Sequence, residues 1–263
     1  MRVYADNAAT TRVSQVALNA MMPYFTEVYG NPSSLHSFGQ EAKEALENAR
    51  ERVAAVLGCQ AREIYFTSGG TEADNMAIRT AAALGARKGK RHIISTAFEH
   101  HAVLHTLKRL EKEGFEITLL DVKENHNITA DQVKAALRED TCLVTTMFAN
   151  NEIGSVLPIR QIGAVCKEAG VLFHTDAVQA VGHLPIHVKN DNIDMLSLSG
   201  HKFHGPRAWA LSTFAGASLL PTSSRAAARS GASGPAPRIC LPSAAWRRRW
   251  MRPWPIWRRT PQR

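Results

Sequence analysis

The chain has 263 residues, is 44% hydrophobic and carries a formal net charge of +9. That composition excludes a globally disordered chain, and no apolar run approaches the ~18–20 residues a membrane span needs. The four cysteines (Cys59, Cys142, Cys166, Cys240) form no CxxC pair and no metal-ligand spacing, which excludes a disulfide scaffold and a zinc finger and predicts reduced cytoplasmic thiols. The opening MRVYAD has no apolar h-region, so a secretory leader is not expected.

Along the chain, helical and strand patterns alternate. Residues 41–57 repeat Ala42, Leu46, Ala49, Val53 and Leu57 on one helical face. A short β-rich run at 63–67 leads into Ser68-Gly69-Gly70-Thr71, and helix is predicted over 73–84. Strands follow at 92–95, 116–120, 141–148, 171–174 and 194–198, with helices at 101–113, 131–138 and 159–169. Such alternation predicts an α/β fold with a mainly parallel sheet flanked by helices. Ligands of these sheets bind outside the carboxyl ends of the strands, so the polar residues after each run deserve inspection.

Those residues offer a coherent chemistry. Ser68-Gly69-Gly70-Thr71 opens a helix with small residues, which lets backbone N–H groups approach a phosphate. It is no P-loop, because no Gly-Lys-Ser/Thr follows; the structural alternative is a tight turn with Thr71 as cap. Lys202, in Ser199-Gly200-His201-Lys202, is an amine able to join an aldehyde cofactor; the alternative is a solvated surface lysine. Asp176 could hold a pyridinium nitrogen protonated, or cap a helix. His100 could stack on a flat ring or move protons, or be a satisfied histidine. Asn151 and Gln179 could bond ring substituents, or serve turns and caps. An anion cup, a ring contact, a carboxylate and an amine together suggest pyridoxal 5′-phosphate.

With these residues in view, the chain resembles the cysteine desulfurases of the NifS/IscS type, in the class V aminotransferase group of fold-type I pyridoxal-phosphate enzymes. The matching stretches are YADNAATT at 4–11, NPSSLHSFGQEA at 31–42, FTSGGTEADNMAI at 66–78, EHHAVL at 99–104, ANNEIGSVLPI at 149–159, FHTDAVQAVGHLPI at 173–186 and LSLSGHKFHGP at 198–206. Seven in family order cover essentially all of 1–206. The resemblance implies a large domain at 1–206, with the family's small C-terminal domain missing. It implies Lys202 as the cofactor-bound lysine and proton shuttle, His100 stacked on the ring, Asp176 on the ring nitrogen, Gln179 on the phenolic oxygen and Asn151 on a ring-side polar group. Gly70, Thr71, Ser199 and His201 would hold the phosphate. The implied reaction converts L-cysteine to L-alanine, leaving sulfur on a loop cysteine for a scaffold or acceptor protein in iron–sulfur or thio-cofactor assembly. The implied assembly is a homodimer, with no nucleic acid or membrane partner. Selenocysteine lyase or transamination, and an inactive cofactor-binding fragment, stand as alternatives.

After Pro206 the family pattern stops. Residues 207–263 hold 11 Arg, all five Trp and no Lys, Asp or Glu, leaving −2 for residues 1–206. No family loop carrying a nucleophilic Cys is visible, and Cys240 sits among prolines in a non-matching context. Codons for RAWALSTFAGA at 207–217 can be chosen that, read two bases on, spell the family-like GVGALYVRRG, and the same offset serves further along. We therefore expect 207–263 to be read out of frame, disordered or poorly packed, with sulfur transfer impaired. The rival reading is an Arg/Trp tail that binds RNA or an anionic membrane.

Overall fold

The computed structural model describes residues 1–122 and 127–215. These fall in two units, one of residues 1–13 and 50–215 and one of residues 14–49. The smaller unit holds α1 (Gln15–Met21), α2 (Pro23–Thr26) and the first part of α3 (Ser37–Leu57). Ser14 caps α1, its hydroxyl accepting from the Ala17 N–H at 3.1 Å. Neither α1 nor α2 was expected from the sequence, since both are too short to repeat an apolar face.

The larger unit continues with β1 (Ile64–Thr67), α4 (Gly70–Ala86), β2 (His92–Thr96), α5 (His101–Lys112), β3 (Glu116–Leu120), α6 (Ala130–Ala136), β4 (Thr141–Met147), α7 (Ile159–Glu168), β5 (Leu172–Asp176), β6 (Met195–Ser199) and β7 (Ala210–Phe214). Among the described residues the sheet has seven strands, in the order β1-β7-β6-β5-β4-β2-β3. Strands β3, β2, β4, β5 and β6 run parallel. β7 is antiparallel to both its neighbours, β1 and β6. The expected mainly parallel α/β sheet is thus observed, with an antiparallel pair of joints at one side.

β7 departs from expectation. Residues 207–215 were assigned no element and were expected to be poorly packed. Yet Ala210, Leu211, Ser212 and Phe214 are fully buried, and Phe214 meets Tyr65 edge-on at 5.4 Å. Five uncharged residues suffice for a strand buried on both faces, and the tail's average composition conceals them. The remainder of the tail, 216–263, including Cys240, lies outside the described residues.

α4 lies on the sheet by a stripe of small side chains, Ala73, Ala77, Ala81 and Gly85, each one turn from the next and all buried. Close approach is what the stripe permits: a Cβ on Gly85 would stand 2.4 Å from the Cys142 Cβ. Around it, Ile78, Ile93, Val103, Leu107, Leu110, Leu143, Met195 and Phe214 form the core. Among the described residues no helix is long and apolar enough to cross a membrane.

Candidate active site

The chain order reverses beside β2, with β3 on one side and β4, β5 and β6 on the other. Loops leaving neighbouring strands part there and open a crevice beyond the strand ends. A cleft of about 490 Å³ is lined by Gly70, Thr71, His100, Asn151, Asp176, Gln179, Ser199, His201 and Lys202. All nine residues singled out in the sequence therefore meet in one cavity, although they are spread over more than half the chain.

The anion cup comes from two strand ends. α4 begins at Gly70, three residues earlier than its apolar repeat predicts, with Gly69 as cap and no side-chain cap bond. Thr71 is therefore inside the first turn, and its hydroxyl is not the cap. Glu72 instead reaches back, accepting from the Ser68 N–H at 2.7 Å and its hydroxyl at 2.6 Å. A Cβ on Gly70 would approach Val178 Cγ2 at 3.2 Å, so glycine keeps the cup open. Ser199 ends β6, and Gly200–Lys202 form a 3-10 turn that brings His201 and Lys202 to the same rim. Burial and the neighbouring Lys202 and Arg207 charges lower the His201 pKa, leaving a neutral ring beside Thr10 Oγ1 at 3.0 Å.

The floor is acidic. β5 runs through Asp176, past the end expected from its apolar run, so this carboxylate is the last strand residue and only 5% exposed. Its Oδ1 accepts from the Val178 N–H at 2.9 Å in a turn, not at a helix N-cap. Burial raises its pKa, while His100 and Lys202 oppose the rise. His100 caps α5, its Nδ1 accepting from the Ala102 N–H at 3.1 Å, which leaves Nε2 to carry the ring proton and fixes the imidazole plane. Lys202 Nζ donates to the carbonyls of Ala8 (2.6 Å) and Ala9 (3.0 Å), and its pKa is lowered by burial against the pull of Asp176 and Asp6. It is thus not a freely solvated surface lysine.

Gln179 and Asn151 differ in their present partners. The Gln179 amide donates to the Ala8 carbonyl at 2.9 Å. Asn151 is exposed on the rim, while its neighbour Asn150 holds the turn, accepting from the N–H groups of Glu152 (2.8 Å) and Ile153 (3.0 Å). Sequence reasoning missed Asp6, Ala8, Ala9 and Asp74, which also line the cleft. Asp74 leaves a legible trace, a carboxylate on the otherwise apolar stripe of α4. Ala8 and Ala9 act through backbone carbonyls, which side-chain chemistry does not reveal.

None of the described thiols suits a nucleophile. Burial pushes Cys59 and Cys166 up to about 12 and Cys142 up to about 11. A thiolate, the reactive form, is therefore scarce at neutral pH.

Residues 3–208 match the family described as Aminotransferase class-V. A protein of Methanosarcina thermophila named cysteine desulfurase IscS is 54% identical over 205 residues, 78% of this chain and 50% of its own length. One from Clostridium botulinum (strain Hall), of the same name, is 53% identical over 206 residues, 78% of this chain and 52% of its own length. Among solved structures, a NifS-like protein aligns with TM-score 0.78 and 41% identity over 81% of this chain and 59% of that one. SspA in complex with cysteine aligns with the same TM-score, 0.78, and 41% identity, covering 61% of that chain. The chain spans about half the length of the curated relatives it matches.

Proposed function

The chain belongs to the aminotransferase class-V family, and from that premise we propose that it is the cofactor-binding part of a pyridoxal 5′-phosphate-dependent cysteine desulfurase. The observation that carries the reading is a lysine amine, a buried carboxylate and a glycine-opened helix start around one cleft. The donor set fits the group: N–H groups of α4 with Thr71, Ser199 and His201 for the phosphate, Asp176 for the ring nitrogen, His100 for the ring face, and Gln179 and Asn151 for ring substituents. When bound, pyridoxal phosphate supplies an aldehyde and a ring that draws electrons from the substrate α-carbon.

Around it the chain's own residues divide the work. The α4 N-terminus turns its unpaired N–H groups and positive dipole end toward the phosphate. Ser199 and the neutral His201 add donors without adding charge. Asp176, anchored by the Val178 N–H, keeps its free oxygen for a cationic N–H. Lys202 Nζ, its pKa lowered by burial, takes the α-proton of L-cysteine once it is freed from the Ala8 and Ala9 carbonyls. The sulfur would pass to a separate thiol, giving alanine and a persulfide for an acceptor or scaffold protein, within a homodimer in the cytoplasm.

We propose further that the non-family tail begins at 207 and is read out of frame, and that this chain binds cofactor without releasing sulfide. The thiol values above support that second point. The test is direct: add pyridoxal phosphate to the purified chain, record visible absorption, and assay alanine and sulfide from L-cysteine. Absorption that Lys202→Ala abolishes, with no sulfide, is expected. Absorption unchanged by Lys202→Ala would overturn the cofactor assignment, and sulfide release would overturn the impairment. Resequencing across codon 207 tests the frame.

A further inference from the structure

Beneath the cleft floor lies a second polar layer that the proposed reaction does not use. His174 and Asp176 are two apart on β5 and so face the same side of the sheet. On that side Thr145 of β4 is the strand partner of His174, and Ser197 of β6 the partner of Asp176. Thr145 Oγ1 stands 2.8 Å from His174 Nδ1, and Ser197 Oγ stands 3.0 Å from Nε2. Asp74, 1% exposed, descends onto this layer from α4 and also lines the cleft. Its Oδ1 is buried without a hydrogen-bond partner, 3.8 Å from His174 Nε2.

We propose that Asp74 holds its proton at neutral pH and leaves Asp176 as the ionised carboxylate at the cleft floor, which makes Asp74 a positioning residue for the cofactor's ring nitrogen. The inference rests on the pyridoxal reading for its last clause only. At 3.8 Å the Asp74–His174 pair is too long for a hydrogen bond, and burying two charges costs several kcal/mol per ion, so an ion pair is disfavoured. Burial holds His174 down at about 3, consistent with a neutral ring. The facing groups distinguish the two aspartates. Asp74 meets Asp176 and Glu99, both acidic, whereas Asp176 also meets His100 and Lys202. Both are raised by burial, but only Asp176 accepts a backbone N–H, from Val178 at 2.9 Å, and has the Lys202 ammonium to draw it back. With Asp74 neutral, no carboxylate charge draws the ring proton to Nε2, so Ser197 donates to Nε2 and His174 Nδ1–H donates to Thr145. Ionised Asp74, its Oδ1 3.8 Å from Nε2, would draw the ring proton to that nitrogen and reverse both donors.

Infrared spectroscopy of the full chain carrying ¹³C-aspartate tests this. A protonated-aspartate carbonyl band is expected at pH 7, absent in Asp74→Asn, with its titration midpoint lowered by about one pH unit or more in Asp176→Asn. The isotope separates it from Glu99. ¹⁵N-histidine NMR of the unmutated chain, which needs no variant to fold, is expected to show the Nδ1–H tautomer for His174. No such band, a band that survives Asp74→Asn, or an Nε2–H His174 overturns the proposal. Added pyridoxal phosphate separates the two readings. If it fails to bind, the cofactor assignment falls while the band still decides the proton. If it binds and the band is missing, the Asp74 role alone falls.

Discussion

Glu99→Gln is the most informative single change outside the ligand contacts. Glu99 sits after β2, 5% exposed, with Oε1 accepting from the Thr96 hydroxyl and from the Met147 N–H at 2.9 Å. Its Oε2 is buried and unpartnered. Burial pushes the carboxyl from its ordinary 4.5 up to about 8, against those two hydrogen bonds. The folded state therefore binds the proton more tightly than the unfolded one. The stability this confers is full below pH 4.5 and drains away as pH rises to about 8. At about 1.4 kcal/mol per unit the ceiling is about 5 kcal/mol, and relaxation around a buried charge reduces it to roughly 2–5 kcal/mol. Glutamine keeps the acceptor oxygen and never ionises. Its amide N–H₂ takes the unpartnered position, a pH-independent cost of about 1–3 kcal/mol. In urea unfolding at pH 5, 6.5 and 8, the variant's stability relative to the unmutated chain is therefore expected to climb by roughly 1.5–3.5 kcal/mol, since part of the titration lies outside that window. The low His174 value, which removes stability as pH falls below 6.5, acts equally on both proteins and cancels. A difference that stays constant from pH 5 to 8 would refute the reasoning, because it would mean Glu99 titrates alike in both states.

Two further outcomes follow from packing and burial. Gly85→Ala gains about 1 kcal/mol of helix propensity but forces a Cβ to 2.4 Å from the Cys142 Cβ, and overpacking costs ~1–3 kcal/mol. Net destabilisation of up to about 2 kcal/mol by chemical denaturation is expected, and a more stable variant would show that α4 can lift off the sheet. Alkylation at pH 7.5 should label Cys59, Cys142 and Cys166 at least about tenfold more slowly than in urea, and fast labelling of Cys59 without denaturant would contradict its raised pKa.

Much of the sheet is legible in the sequence because its strands are short β-branched runs between helical repeats. β3 matches its expected 116–120, and α5 ends one residue before expectation. The errors cluster where polar residues belong to regular elements. β5 and β6 each end further on than expected, because the polar Thr175, Asp176 and Ser199 are strand residues. α4 starts early because glycine at its mouth breaks the apolar repeat without breaking the helix. Nine cleft residues could be named from sequence, since each ends a strand or follows one closely. The carbonyls of Ala8 and Ala9 could not, because they reach Lys202 across some 190 residues of chain.

The antiparallel insertion of β7 also sets an order of events during synthesis. β1, at 64–67, emerges early, yet its pairing partner in the sheet is β7, residue 210 onward. Until those residues leave the ribosome, β1 has no ladder, and β6 presents a bare outer edge. Pairings of such long sequence separation form late and keep sticky edges exposed meanwhile. The family match ends at 208, so the strand that closes this gap is drawn from the residues just beyond it. Chaperone dependence of this chain should therefore respond more to changes at 210–214 than to changes in β1 itself.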